Sequence, residues 1–436
     1  MLPEKDRLPP SCVGWSDPFI GLAVVLGVFF ALRLDKGISD AVFAALMVAA
    51  LSLFLGTLEI VRAPWRKTKP SAEPTDTIIR RAGLKMLGFF ATLAFIGFLY
   101  WLFPEYRRAY YKNYFDMVWT ILPFIPPIFV VYFLYAEWRF PEYRDGCWQT
   151  AMLVLGRWHL IDWQKFTQHI LGWIVKGFYL AIMFGDLAGS LAGFRYVQWN
   201  WDTVTFKQLF HTVFLAIVTL ELVFVSAGYV FSSRLFNSQM RMVEKTLLGW
   251  TVALMCYGPF LSLTFTRYLG YHAPGVDWSS VMSNMPTLYY VWGSITLLLL
   301  VVHMWCDACF GLRFSNLTNR GIITNGCYRF CKHPAYIGKN IRWWMVNLPF
   351  MAGSIEGFRL SLLLLGVNLI YAIRCWAEEK MLSRDPDYQA YGLWMDKHGM
   401  FRWFGQLFPF LTYEYRLKKW KEQGALTPMP PVYTHD

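Results

Sequence analysis

Charged residues are scarce in this 436-residue chain: Asp, Glu, Lys and Arg together make up 16% of it, where an average soluble domain carries about 25%. That scarcity excludes an ordinary soluble surface. Cysteine is sparse too, eight in all, and most lie in or beside apolar stretches. This excludes a disulfide framework and points to free thiols. No glycine-rich phosphate loop follows a strand pattern, so a soluble dinucleotide-binding domain is also excluded. Basic residues outnumber acidic ones, 41 to 29, for a net charge of +12. They form no separate domain with base-stacking aromatics, and nucleic acid is not an expected partner. The first residues are polar and no small-residue cleavage site follows the first apolar block, so no cleavable signal peptide is expected.

What the chain has in abundance is apolar and aromatic surface. Hydrophobic residues reach 56% and aromatic ones 19%, with 21 Trp and 24 Tyr, and such amphipathic rings suit the two water–lipid boundaries of a bilayer. The apolar residues come in blocks, and a block of about 20 spans a membrane as a helix. Ten blocks are predicted to do so: 18–34, 40–61, 84–103, 116–136, 168–194, 208–231, 246–268, 286–312, 338–354 and 359–377. The fold class is therefore all-α, a polytopic membrane protein of about ten transmembrane helices. In the third block, Leu84 to Phe103, Lys85 is the sole charge. The ninth is short and carries Arg342, which suits a re-entrant or half-buried helix sheltered by protein or lining a water-filled cavity. The loops after the second, fourth, sixth and eighth spans hold 17 Lys and Arg and the alternate loops six, which predicts that both termini and those basic loops face the cytoplasm.

Several local features follow. Ala63 to Asp76, with prolines and charges, reads as a flexible loop. The Trp- and Arg-rich stretch from Trp138 to Lys165 fits either an amphipathic headgroup-layer helix or a plain loop. The segment from Lys418 onward reads as a poorly ordered tail. Gly185, Gly189 and Gly193 recur every fourth residue, a spacing that lets two helices approach closely in lipid. Asp186 beside them reads first as a structural ion pair, with a substrate contact as the alternative. His303, Cys306 and Cys309 share a helical face, with Cys327 and Cys331 following. Their spacing matches no familiar zinc finger, so they read as packing residues and no metal site is expected. His159, His169, His211 and His272 lack neighbours that would make a nucleophilic or metal constellation.

Two clusters carry candidate chemistry. From Arg320 to Gly338 a polar segment leads into an apolar helix. Asn325-Gly326 marks a tight turn, and His333-Pro334 sets an imidazole just before a helix that Pro is suited to start. Tyr328 and Tyr336 flank the histidine. One span later Arg374 precedes Glu378 and Glu379. Positions four apart share a helical face, so Arg374 and Glu378 read as neighbours, and in the simplest case as a self-neutralising pair.

Together these segments resemble the isoprenylcysteine carboxyl methyltransferase family and its phospholipid-methylating relatives. That family carries Gly-x-Tyr-x-x-x-Arg-His-Pro-x-Tyr-x-Gly, an apolar hairpin, Arg-x-x-x-Glu-Glu and a downstream Tyr-x-x-Tyr. Here they stand as Gly326 to Gly338, Arg374 to Glu379, and Tyr388 with Tyr391. The resemblance covers about residues 310–405. It implies an S-adenosylmethionine site lined by Arg320, Gly321, Ile322, Ile323, Tyr328, His333, Pro334, Ala335, Tyr336, Glu378 and Glu379. Arg374 would face the methyl acceptor, making Arg374 and Glu378 the catalytic pair. Two positions depart from the pattern: Lys332 stands where the family has Arg, and Phe401-Arg402-Trp403-Phe404 only loosely echoes its closing Arg-Phe-x-Pro.

The expected organisation is an N-terminal helical bundle over 1–285, a methyltransferase-like module over 286–412 with its site toward the cytoplasm, and a cytoplasmic tail over 413–436. The implied activity is methyl transfer, most simply to oxygen, onto a membrane lipid or lipidated substrate. Two other functions fit the sequence: a nicotinamide-dependent reductase of the sterol-reductase type, and a non-enzymatic transporter or scaffold with Glu59, Asp186, Glu221 and Asp307 along its path.

Overall fold

The computed structural model describes residues 7–197 and 202–426. The first half is built from α1 (Asp17–Leu32), α2 (Asp40–Arg62), α3 (Thr75–Leu102), α4 (Lys112–Ile121), α5 (Ile125–Arg139), α6 (Gly146–Val154), α7 (Trp163–Ala192) and α8 (Phe206–Val230). Then come α9 (Leu247–Leu254), a π-helical stretch Ser262–Tyr268, α10 (Trp278–Val281), α11 (Pro286–Ala308), α12 (Pro334–Asn347) and α13 (Ser354–Leu382). Three surface helices close the described chain: α14 (Pro386–His398), α15 (Arg402–Leu407) and α16 (Tyr413–Glu422). The only described strands, β1 (Met242–Val243) and β2 (Thr318–Asn319), pair antiparallel with Met242 opposite Asn319.

Seven helical stretches are long and apolar enough to cross a membrane: Asp40–Lys67, Thr75–Leu102, Ala109–Arg139, Trp163–Ala192, Phe206–Val230, Pro286–Ala308 and Ile355–Leu382. The other three expected spans are helical but shorter. The first, α1, has 16 residues. The seventh is broken, because Pro259 lacks the N–H that α9 would need to continue. The ninth, α12, has 14 residues, or about 21 Å at helical rise, against a hydrocarbon core of about 30 Å. Its end is marked by Leu348 in the left-handed region, φ 42°. Protein surrounds α12 on several sides, as its polar Lys339 and Arg342 require.

Packing follows the apolar pattern. The main core gathers Phe43, Met47, Leu51, Tyr179, Phe184, Leu187, Val223 and Phe224 from α2, α7 and α8. The α4–α5 arm lies at the periphery with Ile128 and Val131 exposed, as a lipid-facing helix would be. Lys85 does not face lipid. It is buried against Glu137 and pairs with Asp145 at 2.8 Å, while Arg81 reaches Glu137 at 2.8 Å. The Trp138–Lys165 stretch folds into α6, which buries Gln149, Ala151 and Met152. Gly88 of α3 comes so close to the Cys147 carbonyl that no side chain fits between them.

The two ends of the described chain meet the same face. Backbone N–H of Cys12 donates to Ile322 O at 2.9 Å, and Thr324 Oγ1 donates to Pro9 O at 2.8 Å. On that face α16 packs on α14 through Tyr413, Leu417 and Trp420. The supposed tail therefore starts as an ordered helix that continues past Lys418 to Glu422. The remainder, from residue 427, lies outside the described residues.

Candidate active site

The loop between α11 and α12 is held from several directions. The β1–β2 pairing ties it to the segment after α8. Arg320 is fully consumed as a strut: its Nε donates to Ser238 O at 2.7 Å, and its Nη1 to Gly228 O at 2.7 Å and Phe314 O at 2.8 Å. Burial and the neighbouring Arg313 push its pKa down to about 9, so the carbonyls around it do the work of counter-ions. Gly321 has φ +108°, and a Cβ there would stand 2.8 Å from Cys12 Sγ. The turn therefore needs glycine both for conformation and for space. Asn319 Nδ2 donates to Asp385 Oδ2 at 2.8 Å, linking the loop to the start of α14.

The loop and the acidic pair at the end of α13 come together. His333 Nε2 lies 3.2 Å from Glu379 Oε1, and Lys332 Nζ lies 3.0 Å from the same oxygen. Arg416 of α16 reaches Glu379 Oε2 at 2.6 Å. Glu378 instead accepts from Tyr336 Oη at 2.8 Å, and the His333 and Tyr336 rings stack with centroids 5.5 Å apart. Arg374 does not pair with Glu378 in the self-neutralising way that their spacing suggests. Its Nη2 donates to Asn316 Oδ1 at 2.5 Å, and its guanidinium lies 5.1 Å over Tyr336 and 5.4 Å over Tyr257. Asn316 is itself held by Tyr229 Oη, 2.7 Å from its Nδ2.

Two cavities meet here. The first, of about 70 Å³, opens among the loop residues and is lined by Thr318, Arg320, Gly321, Ile322, Ile323, Tyr328, Lys332, His333, Glu378, Tyr388 and Tyr391. The hydroxyls of Thr318 and Tyr388 are buried there without a protein partner, and such groups are costly unless something supplies a hydrogen bond. The second is a chamber of about 790 Å³ running between α7, α8, α11, α12 and α13. Apolar side chains such as Ile182, Leu215, Leu222 and Leu300 line much of it, and Arg374, Lys339 and Arg342 face it from one side. Tyr328, Lys332, His333 and Glu378 border both cavities.

The expected site residues thus divide by position. Arg320 to Ile323, Tyr328, His333 and Glu378 border the smaller cavity, Arg320 with its side chain already spent on carbonyls. Ala335, Tyr336 and Arg374 border the chamber. Pro334 is buried at the start of α12, and Glu379 lines neither cavity, its carboxylate being occupied by Lys332, His333 and Arg416. Asp186 has no described cation partner. It lies near Tyr110, whose hydroxyl donates to Ile182 O at 3.0 Å, and borders the chamber. Gly185 meets Tyr110, but a Cβ on Gly189 would touch nothing within 4 Å, so the glycine repeat serves the chamber wall as well as helix packing. Glu59 is tied to Arg313 at 2.7 Å and does not border the chamber. Sequence reasoning missed Asn316, which sits in an unremarkable loop, and Arg416, hidden in the supposed tail.

Residues 286–384, spanning α11 to α13, match the model of the isoprenylcysteine carboxyl methyltransferase family. The C-terminal part is thus a membrane module of methyltransferase type on an all-α, polytopic chain. No curated protein and no solved structure matches the chain.

Proposed function

We propose that this protein is an S-adenosylmethionine-dependent methyltransferase whose acceptor is a lipid or lipid-linked anion reached from within the membrane. The observation that carries this reading is the meeting of a small cavity among the loop residues with a largely apolar chamber between the helices, at His333, Glu378, Tyr328 and Lys332. A water-soluble donor and a hydrophobic acceptor need such a junction, each with its own entrance.

The smaller cavity fits the cofactor in the chemistry of its lining. At about 70 Å³ it is smaller than the roughly 300–1,000 Å³ of typical small-molecule sites, so the cofactor would extend past Tyr328, His333 and Glu378 into the chamber. Glu378 offers an acceptor for ribose hydroxyls, and Lys332 and His333 offer charge and hydrogen bonds for an amino-acid carboxylate. The orphaned hydroxyls of Tyr388 and Thr318 would gain partners. When bound, the cofactor supplies an electrophilic methyl group on a cationic sulfonium, which aromatic faces such as Tyr328 favour.

The protein's own part is positional. Arg374, freed from Glu378 and aimed by Asn316, would hold an acceptor carboxylate or phosphate by a bidentate contact. Such an acceptor is ionised at neutral pH and needs no strong general base. Rate enhancement then comes from orientation and from exclusion of water by the chamber walls. The ion cluster of Lys332, His333, Arg416 and Glu379 would hold the loop against α13. In this reading the basic loops, and the site with them, face the cytoplasm, and the segment before residue 286 supplies the other chamber walls.

Calorimetric titration of the purified protein with S-adenosylmethionine and with NADPH tests the assignment. Binding of the first alone is expected. Binding of NADPH alone would overturn it in favour of a reductase.

A further inference from the structure

A second constellation lies in the chamber, outside the motifs used above. Glu221 of α8 and His303 and Asp307 of α11 bring one ligand atom each to within 4.8 Å of one another. His303 and Asp307 are four residues apart and so share a helical face. His303 Nδ1 lies 3.3 Å from Glu221 Oε2. Asp307 is 7% exposed, borders the chamber and has no side-chain hydrogen-bond partner among the described residues.

We infer that Glu221, His303 and Asp307 form a binding site for a divalent transition-metal ion inside the chamber. Charge balance favours it. Two carboxylates and a neutral imidazole would hold a divalent ion as a neutral cluster. Distance agrees as well. Metal–nitrogen and metal–oxygen bonds of about 2.0–2.2 Å set ligand atoms roughly 3.3–3.5 Å apart around a tetrahedral ion, which matches the His303–Glu221 separation. Lys339 and Arg342 border the same chamber and oppose a cation, which is why both carboxylates are needed. Neither forms an ion pair with the cluster; Arg342 lies 5.8 Å over the Phe214 ring. Nitrogen and oxygen donors without thiolate suit Zn²⁺, Mn²⁺ or Fe²⁺. Three protein ligands leave positions open toward the chamber, where an oxygen of a carboxylate or phosphate would complete the shell. The thiols of Cys306, Cys309 and Cys327 pack in a separate cluster with Val13 and Ile323.

The test uses the full chain in detergent, stripped with chelator and dialysed against Zn²⁺, with metal content read by mass spectrometry. About one Zn²⁺ per chain is expected, with affinity at least tenfold weaker in Asp307→Asn and His303→Gln and unchanged in Cys306→Ser/Cys327→Ser. Zn²⁺ should raise the melting temperature of the wild type but not of Asp307→Asn, which also reports whether the variant is folded. Substitution with Co²⁺ should give weak visible bands without thiolate charge transfer. Metal content well below one ion, binding that survives both ligand variants, or binding lost only in the cysteine variant would overturn the site. None of these readouts needs turnover, so the metal site and the methyl-transfer reading stand or fall separately.

Discussion

Arg416 Nη2 lies 2.6 Å from Glu379 Oε2, joining a helix that looks like a dispensable tail to the acidic pair at the end of α13. Glu379 is 2% exposed, and a carboxylate so buried is tolerated because Lys332, His333 and Arg416 surround it. The three partners come from two separate segments, the loop before α12 and α16, so one carboxylate fastens both to α13.

Arg416→Gln should therefore loosen the site from outside the matched region. Removing one of three partners is expected to cost about 1–2 kcal/mol of stability, read as a lower melting temperature in detergent. Cofactor affinity should fall several-fold although Arg416 lines neither cavity.

The two adjacent glutamates should behave differently. Glu379→Gln leaves clustered cations without their counter-ion and should destabilise the protein by on the order of 3 kcal/mol. Glu378→Gln keeps the Tyr336 hydrogen bond and the fold, yet should abolish cofactor binding. Thermal unfolding and calorimetry on both variants separate these outcomes.

Asn316→Ala removes the amide that orients the Arg374 guanidinium. The expected result is a rise of about tenfold in the acceptor KM, corresponding to one lost hydrogen bond to a charged group, with S-adenosylmethionine affinity unchanged. A loss in cofactor affinity instead would place Arg374 on the wrong side of the junction.

Tyr388→Phe deletes a buried hydroxyl that has no protein partner. Stability of the ligand-free protein should hold or rise by about 0.5 kcal/mol, while cofactor affinity falls. Equal affinity for the two proteins would show that the hydroxyl does not face the bound cofactor.

The membrane class was legible because long apolar blocks leave no other solution for the backbone. All ten blocks contain helix, and the short ninth was marked in advance by Arg342, which borders the chamber. The break in the seventh was not foreseen, since Pro259 sits in a run that is otherwise apolar. The His333 loop and the Glu378–Glu379 pair were found through local motifs, and they do meet in space. Contacts between distant segments were not readable. Arg416 and Glu379 are joined only by folding, and Glu221 lies a whole helix away from His303 and Asp307. Arg374 misled for a physical reason: helical spacing allowed a pair with Glu378, but Asn316 and Tyr336 offer the two side chains separate partners.

The most direct test of the account is transfer of a labelled methyl group from S-adenosylmethionine to a membrane lipid extract, with mass analysis of the product. The account predicts label in a lipid or lipid-linked anion with the wild-type protein, and none with Glu378→Gln or Arg374→Ala. A labelled water-soluble product, no label at all from protein that binds the donor, or undiminished transfer by both variants would contradict it.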